Sequence, residues 1–65
     1  MSGIGRAIAV AEHLARHGAT GVRALARALN LPLGSVHRLL TDLAAERVIE
    51  QTPDGAWQMS YRLIE

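Results

Sequence analysis

The side chains best suited to specific chemistry fall in one short segment, residues 34–41. Arg38 is the strongest candidate, because a guanidinium group can pair bidentately with guanine O6 and N7 or hold a phosphate group. The alternative for Arg38 is an ordinary surface ion pair with Asp42, one helical turn further on. Around Arg38 lie four small or polar positions that we predict to share its surface: Gly34, Ser35, His37 and Thr41.

An apolar stripe predicts the helix that carries these side chains. Hydrophobic residues recur at positions i, i+3, i+4 and i+7, the spacing of one helical face. They are Val36, Leu39, Leu40 and Leu43. Pro32, which has a fixed φ and no N–H, suits a first helical position, so we predict a helix from Pro32 to about Glu46. Its Leu-rich side would be buried, which leaves the side that carries Arg38 free to contact a partner.

Two further helices are predicted before this one. Apolar spacing indicates a first helix over about residues 4–17, and Gly18 suits its C-terminal cap. A second helix is predicted over residues 22–29, with Asn30 as its stop. Because a tight connection separates it from the third helix, the two form a helix-turn-helix, whose second helix can enter a DNA major groove.

Two arginines, Arg23 and Arg27, lie one turn apart on the outer face of the second predicted helix. In a helix-turn-helix these side chains would contact backbone phosphates, which positions a protein on DNA without reading the sequence. The alternative is ordinary solvated surface charge.

The first predicted helix is apolar well beyond one face, since Ile8, Ala9 and Ala15 lie outside its main stripe. Such a helix is either enclosed or has a second partner surface. We therefore expect a homodimer that forms through the first helix and neighbouring apolar surface.

After the third helix the apolar pattern changes to a period of two. Residues 48–51 and 56–59 are predicted strands, and residues 52–55 have turn chemistry. Thr52 at the tip could contact a neighbouring phosphate, although a phosphate would repel the carboxylate of Asp54. The predicted fold is mainly α with a small β-hairpin, a winged helix-turn-helix.

Composition limits the alternatives. The 65 residues suffice for one domain, residues 1–65, and the absence of cysteine leaves no disulfide and no Cys-based zinc site. A net charge of +1 is low for a protein that binds nucleic acid. However, every basic residue is arginine and residues 16–38 contain no acid, so one half of the chain can present a positive face.

Two patterns that suggest other functions are incomplete. The glycine-rich run over residues 2–9 is similar to a dinucleotide-binding turn, but no strand precedes it and no βαβ unit follows. His13 and His17 have a metal-binding spacing, but no Glu-rich or Cys partner completes the site. We therefore predict no enzyme, no cofactor and no metal. Without a signal peptide or a membrane span, we expect a cytoplasmic, nucleoid-associated protein.

The run LARALNLPLGSVHRLL, followed by PDG and a short strand, resembles the DNA-binding domain of the isocitrate-lyase-regulator (IclR) type of bacterial transcription regulator. Matching positions include Arg6-Ala7-Ile8, Leu31-Pro32, Val36-His37-Arg38-Leu39-Leu40 and Pro53-Asp54-Gly55. The resemblance covers nearly all of the chain, and LP…SVHRLL is its specific part.

The resemblance implies operator binding as a dimer, with the third helix in the major groove. It also implies a linker helix that begins over residues 60–65 and leads to an effector-binding domain. The sequence would then be an excised DNA-binding domain or a stand-alone relative, and it would respond to an effector only if the larger domain exists. Leu33 and Gly34 replace the family's Lys and Ser, so the DNA-reading face is sparser than usual. Arg47 replaces a Gly after the third helix, so it must take the cap conformation itself or the helix must end differently.

A winged helix can instead serve protein–protein contact or dimerisation without DNA. The low net charge and the apolar first helix permit this second interpretation.

Overall fold

The computed structural model describes residues 3–60 and places three helices before a β-hairpin. The elements are α1 (Gly3–His17), α2 (Val22–Leu29), α3 (Leu33–Ala45), β1 (Ile49–Gln51) and β2 (Trp57–Met59). This order confirms the predicted winged helix-turn-helix. Of the linker helix predicted over residues 60–65, all but residue 60 lies outside the described residues. None of the helices in the described part combines the length and hydropathy needed to cross a membrane.

The first helix follows its predicted pattern to within one residue. Val10 and Leu14, one turn apart on α1, are both buried. Gly18 ends the helix at a φ of 80°, and its amide donates to the Leu14 carbonyl oxygen over 2.8 Å. Glycine suits this left-handed position because it has no Cβ to clash with the preceding turn.

The connection between α2 and α3 is tight because Asn30 turns the chain. Asn30 has the left-handed conformation (φ 54°, ψ 47°), and the Leu31 amide donates back to the Ala26 carbonyl oxygen over 3.0 Å. These contacts satisfy carbonyl groups at the end of α2. At the other end of α2, Gly21 supplies no side-chain cap.

The third helix begins one residue later than predicted. Pro32 has an extended backbone (φ −60°, ψ 143°), so it caps α3 instead of forming its first turn. Its carbonyl oxygen accepts a hydrogen bond from the Val36 amide at 3.1 Å, and its missing N–H costs nothing at this position. At the far end, Arg47 itself takes the left-handed cap conformation (φ 62°), at a cost of about 1 kcal/mol for a residue other than glycine.

The wing is a short antiparallel hairpin that also bonds to the loop between α1 and α2. Ile49 pairs with Met59, and Gln51 pairs with Trp57. Thr20 and Trp57 exchange two backbone hydrogen bonds, each of 2.8 Å. The sheet therefore gains one residue of a third strand, and the hairpin is attached to the helical part of the domain.

One core joins the helices to the hairpin. Its buried members are Val10, Leu14, Leu25, Val36, Leu40 and Ile49. From β2, Trp57 and Met59 are half-buried and pack against this cluster. Full burial of each such side chain contributes about 1.5–3 kcal/mol. Because α3 packs against α1, α2 and β1, its orientation is set by the core and not by its exposed side chains.

Candidate nucleic-acid interface

The side of α3 that faces away from the core forms a continuous exposed surface. Val36 and Leu40 anchor the helix and are completely buried. The exposed residues on the opposite side, which we call the α3 outer face, are Gly34, His37, Arg38, Thr41 and Ala45. Ser35 is half-buried at its edge. The structure therefore brings together all the candidates that the sequence placed on the third helix.

The guanidinium of Arg38 is available for a ligand. Arg38 is exposed, and it does not form the ion pair with Asp42 that the surface-charge alternative requires. It also forms no side-chain hydrogen bond with any residue of the described range. No described residue therefore engages its five N–H donors, which can meet an anion or a base edge.

The polar neighbours of Arg38 differ in what they can offer. The Thr41 hydroxyl donates to the His37 carbonyl oxygen at 2.9 Å, so the exposed Thr41 keeps lone pairs and a methyl group but no free hydroxyl proton. His37 is exposed and its ring has no partner within residues 3–60. Together they offer donors, acceptors and a methyl group, the functional groups that distinguish base pairs in a major groove.

The N-terminal end of α3 is open to close approach. A Cβ added at Gly34 would have no heavy atom within 4 Å, and Leu33 is 38% exposed. Pro32 provides no side-chain cap, so the amides of the first turn keep their positive partial charge. This end can accept a phosphate oxygen, although it lacks the lysine and serine of the family pattern.

The two arginines of α2 are both exposed. Arg23 and Arg27 are separated by one helical turn and therefore project from the same side of α2. Neither makes an ion pair with a described residue. They form a positive surface on the helix that precedes α3.

A cleft between α1 and α3 contains an arginine that sequence reasoning missed. The cleft has a volume of about 300 Å³ and is lined by Gly3, Arg6, Ser35, Arg38, Leu39 and Asp42. Arg6 is half-buried, and its Nε is buried without a hydrogen-bond partner among the described residues. The available signal was its position one turn before Val10, which directs it toward the core side of α1.

The polar side chains at the turn of the wing form hydrogen bonds within the turn itself. The Thr52 hydroxyl donates to the Asp54 carboxylate and accepts a hydrogen bond from the Ala56 amide at 3.0 Å. The hydrogen bond from Thr52, followed by backbone hydrogen bonds, lowers the pKa of Asp54 below its usual 3.8. The wing tip therefore carries a carboxylate that stays ionised in mild acid, and the hydroxyl proton of Thr52 is already engaged.

The rings of the two histidines of α1 lie against each other in a tilted arrangement. The ring centroids of His13 and His17 are 4.5 Å apart, at an angle of 40°. They line a shallow cleft with Arg16 and Leu29. Within residues 3–60, no three potential metal-ligating side chains cluster together.

Comparison with known proteins supplies the family. None of the curated proteins matches the chain. Residues 3–53, which span most of the sequence and all three helices, match the IclR helix-turn-helix domain. The chain therefore belongs to the IclR helix-turn-helix domain family, whose members are DNA-binding domains of transcription regulators.

Proposed function

We propose that this domain binds double-stranded DNA in a sequence-specific manner, as part of a bacterial transcriptional regulator in the nucleoid of the cytoplasm. Helix α3 enters the major groove, and α2 lies along the phosphates. The observation that carries the proposal is the α3 outer face, a polar surface on a helix whose other side is fixed by Val36 and Leu40 in the core. The function is binding, without a catalytic step.

The dimensions of α3 suit a major groove. Its 13 residues give a length of about 20 Å, and the groove is about 12 Å wide. Gly34 and Ala45, at the two ends of the outer face, have small or absent side chains. The helix backbone can therefore approach the groove closely at both ends of this face.

The distribution of charge also supports a DNA ligand. Residues 16–38 contain no acid, and three of their arginines are exposed on α2 and α3: Arg23, Arg27 and Arg38. The acids Asp42, Glu46, Glu50 and Asp54 lie later in the chain. A net charge of only +1 therefore conceals a positive helix-turn-helix, which is the surface that would face the phosphates.

Helix α2, helix α3 and the wing would make different kinds of contact with DNA. Arg23 and Arg27 would neutralise phosphates and position the domain, whereas His37 and Thr41 would meet base edges in the groove. The wing contributes least, because the Thr52 hydroxyl already bonds to Asp54 and that carboxylate repels phosphate.

Dimerisation through α1 would give the arrangement that a two-fold operator needs. On the side of α1 away from the core, four apolar residues recur at spacings of four, three and four: Ile4, Ile8, Ala11 and Ala15. Ile4 is 76% exposed and Ile8 is 53% exposed. This heptad-like spacing is the pattern that packs one helix along another. A two-fold contact here would present two α3 helices to successive half-sites.

Selection of bound duplexes from a random pool tests the DNA proposal. We expect enrichment of a two-fold sequence whose half-sites are centred about one helical turn, or a multiple of it, apart. A pool that shows no enrichment over repeated rounds would contradict sequence-specific binding.

Sedimentation with and without the selected duplex tests the second candidate, a module for protein contact alone, which the exposed Ile4 and Ile8 favour. We expect a homodimer that sediments faster with DNA, and an Ile8→Glu variant that becomes monomeric. The matched control is Ala24→Glu, a change at an exposed apolar residue of α2. Self-association that never shifts with DNA would favour the protein-contact module.

A further inference from the structure

The cleft between α1 and α3 brings two arginines to one opening. Arg6 comes from the second turn of α1 and Arg38 from the middle of α3, and both line the same space of about 300 Å³. The Arg6 side chain is half-buried, and its Nε is buried without a partner among residues 3–60. Buried polar nitrogens are normally hydrogen-bonded, so Arg6 is held at the cleft with one donor that no described residue satisfies.

The charges around the cleft favour an anion. Two guanidinium groups and the half-buried Ser35 line it, against the single carboxylate of Asp42. Neither arginine forms an ion pair with Asp42. Two like charges at one opening repel each other, and an oxyanion between them relieves that repulsion while accepting several N–H donors.

We propose that Arg6 and Arg38 together hold one phosphate of the DNA backbone at this cleft, beside the groove that α3 enters. Arg38 then positions the domain and does not read a base, so base discrimination falls to His37, Thr41 and the open backbone at Gly34. This inference rests on the proposed DNA-binding function, because the cleft opens at the edge of the α3 outer face. It adds to the interface a residue of α1, a helix to which we assigned no DNA contact on the sequence.

The first experiment compares salt-dependent binding of Arg6→Gln and Arg38→Gln with that of the wild type. Glutamine keeps part of the apolar stem and removes the charge. Each variant should weaken binding to the selected duplex and to an unrelated duplex by the same factor, about tenfold. Each should also lower the slope of log affinity against log salt by about 1, the effect of one lost phosphate contact.

The matched control is Arg16→Gln, a change at an exposed arginine on the same helix that does not line the cleft. This control should leave both the affinity and the slope unchanged. An Arg6→Gln variant that bound like the wild type would overturn the inference. So would an Arg38→Gln variant that lost affinity only for the selected duplex, since that result identifies a base contact.

Phosphate neutralisation on the DNA tests the shared site without relying on the folding of any variant. Methylphosphonates are placed one at a time along the selected duplex, and the affinity of the wild type is measured for each. We expect one position per half-site at which neutralisation reproduces the loss seen on removal of either arginine. At that position, neutralisation of the phosphate should cause little further loss of DNA affinity for either Arg6→Gln or Arg38→Gln.

Two arms complete the design. If neutralisation failed to weaken binding of the two variants at different phosphates, the two arginines would contact separate phosphates. The proposal that they share one phosphate would then be wrong. If inorganic phosphate bound the wild type but not Arg6→Gln, and left the affinity for the duplex unchanged at constant ionic strength, the cleft would be a site for free phosphate instead. A wild type that bound no duplex would overturn both proposals, whereas a wild type that bound duplex without any contribution from Arg6 would overturn this one alone.

Discussion

The Thr41 hydroxyl donates a hydrogen bond to the carbonyl oxygen of His37, one turn earlier on the exposed face of α3. A hydroxyl has one proton, so this bond leaves Thr41 with lone pairs and a methyl group directed toward a ligand. Threonine in a helix often bonds to the backbone in this way. Thr41 therefore offers DNA an acceptor and an apolar contact, but no donor.

This bond predicts different results for two substitutions of Thr41. Thr41→Val keeps the methyl group that can contact a thymine methyl, and Thr41→Ser loses it. We expect Thr41→Ser to weaken binding to the selected duplex more than Thr41→Val does, with little change for an unrelated duplex. Anisotropy titrations with labelled duplexes measure both affinities. The opposite order would show that the hydroxyl oxygen of Thr41 contributes more to DNA binding than its methyl group does.

The core residues of α3 should govern stability. Leu40 is completely buried, so Leu40→Ala should lower the free energy of unfolding by about 2–5 kcal/mol through lost burial and the cavity that remains. Leu33 on the same helix is 38% exposed, and Leu33→Ala should cost less than about 1 kcal/mol. Urea denaturation followed by circular dichroism gives both values. Equal losses at the two positions would contradict the burial of the stripe.

Two glycines with equally open surroundings should respond oppositely to alanine. A Cβ at Gly34 or at Gly18 would meet no heavy atom within 4 Å, but Gly18 has a φ of 80° whereas Gly34 lies inside α3. Gly34→Ala should stabilise the domain by about 0.5–1 kcal/mol, and Gly18→Ala should destabilise it by about 1 kcal/mol or more. Thermal unfolding of the two variants tests the sign. A destabilised Gly34→Ala would show that the backbone at this position is not helical.

The wing should lose a stabilising contact in acid. The hydrogen bond from Thr52, the largest cause, lowers the pKa of Asp54 below 3.8 in the folded state. Because the pKa of Asp54 is lowered in the folded state, its hydrogen bond stabilises the fold at pH values above the unfolded-state pKa of about 3.9. That stabilisation is lost as the pH falls through the folded-state pKa. The difference in unfolding free energy between the wild type and Asp54→Asn should therefore shrink below about pH 4. A difference in unfolding free energy that stayed constant from pH 6 to about pH 3 would contradict the hydrogen bond between Thr52 and Asp54.

Local pattern was sufficient to predict the helices. The stripe Val36, Leu39, Leu40 and Leu43 predicted α3 to within one residue at each end, because burial of one face repeats at the helical period. Pro32 was misplaced by one residue, since its fixed φ suits both the cap and the first turn, and only ψ distinguishes them. The left-handed Asn30 followed from the residues expected after a helix, whereas the left-handed Arg47 was one of two outcomes that the sequence left open.

Contacts between distant segments were not visible in the sequence. Arg6 and Arg38 are 32 positions apart in the chain, and only the packing of α1 on α3 brings them to one cleft. The engagement of Thr52 within its own turn depends on the exact hairpin geometry, so its hydroxyl could not be assigned from residue type. The family pattern includes Arg6 and Arg38, but it carries no information about what these two side chains contact.

The salt dependence of DNA binding tests the central claim most directly, that the helix-turn-helix is a DNA-binding surface. Anisotropy titrations of the wild type with the selected duplex between about 50 and 200 mM salt give the slope of log affinity against log salt. Contacts from Arg23, Arg27 and the Arg6–Arg38 pair, which shares one phosphate, predict a slope of about −3 per protomer. Binding that is absent at the lowest salt, or a slope near zero, would contradict the account.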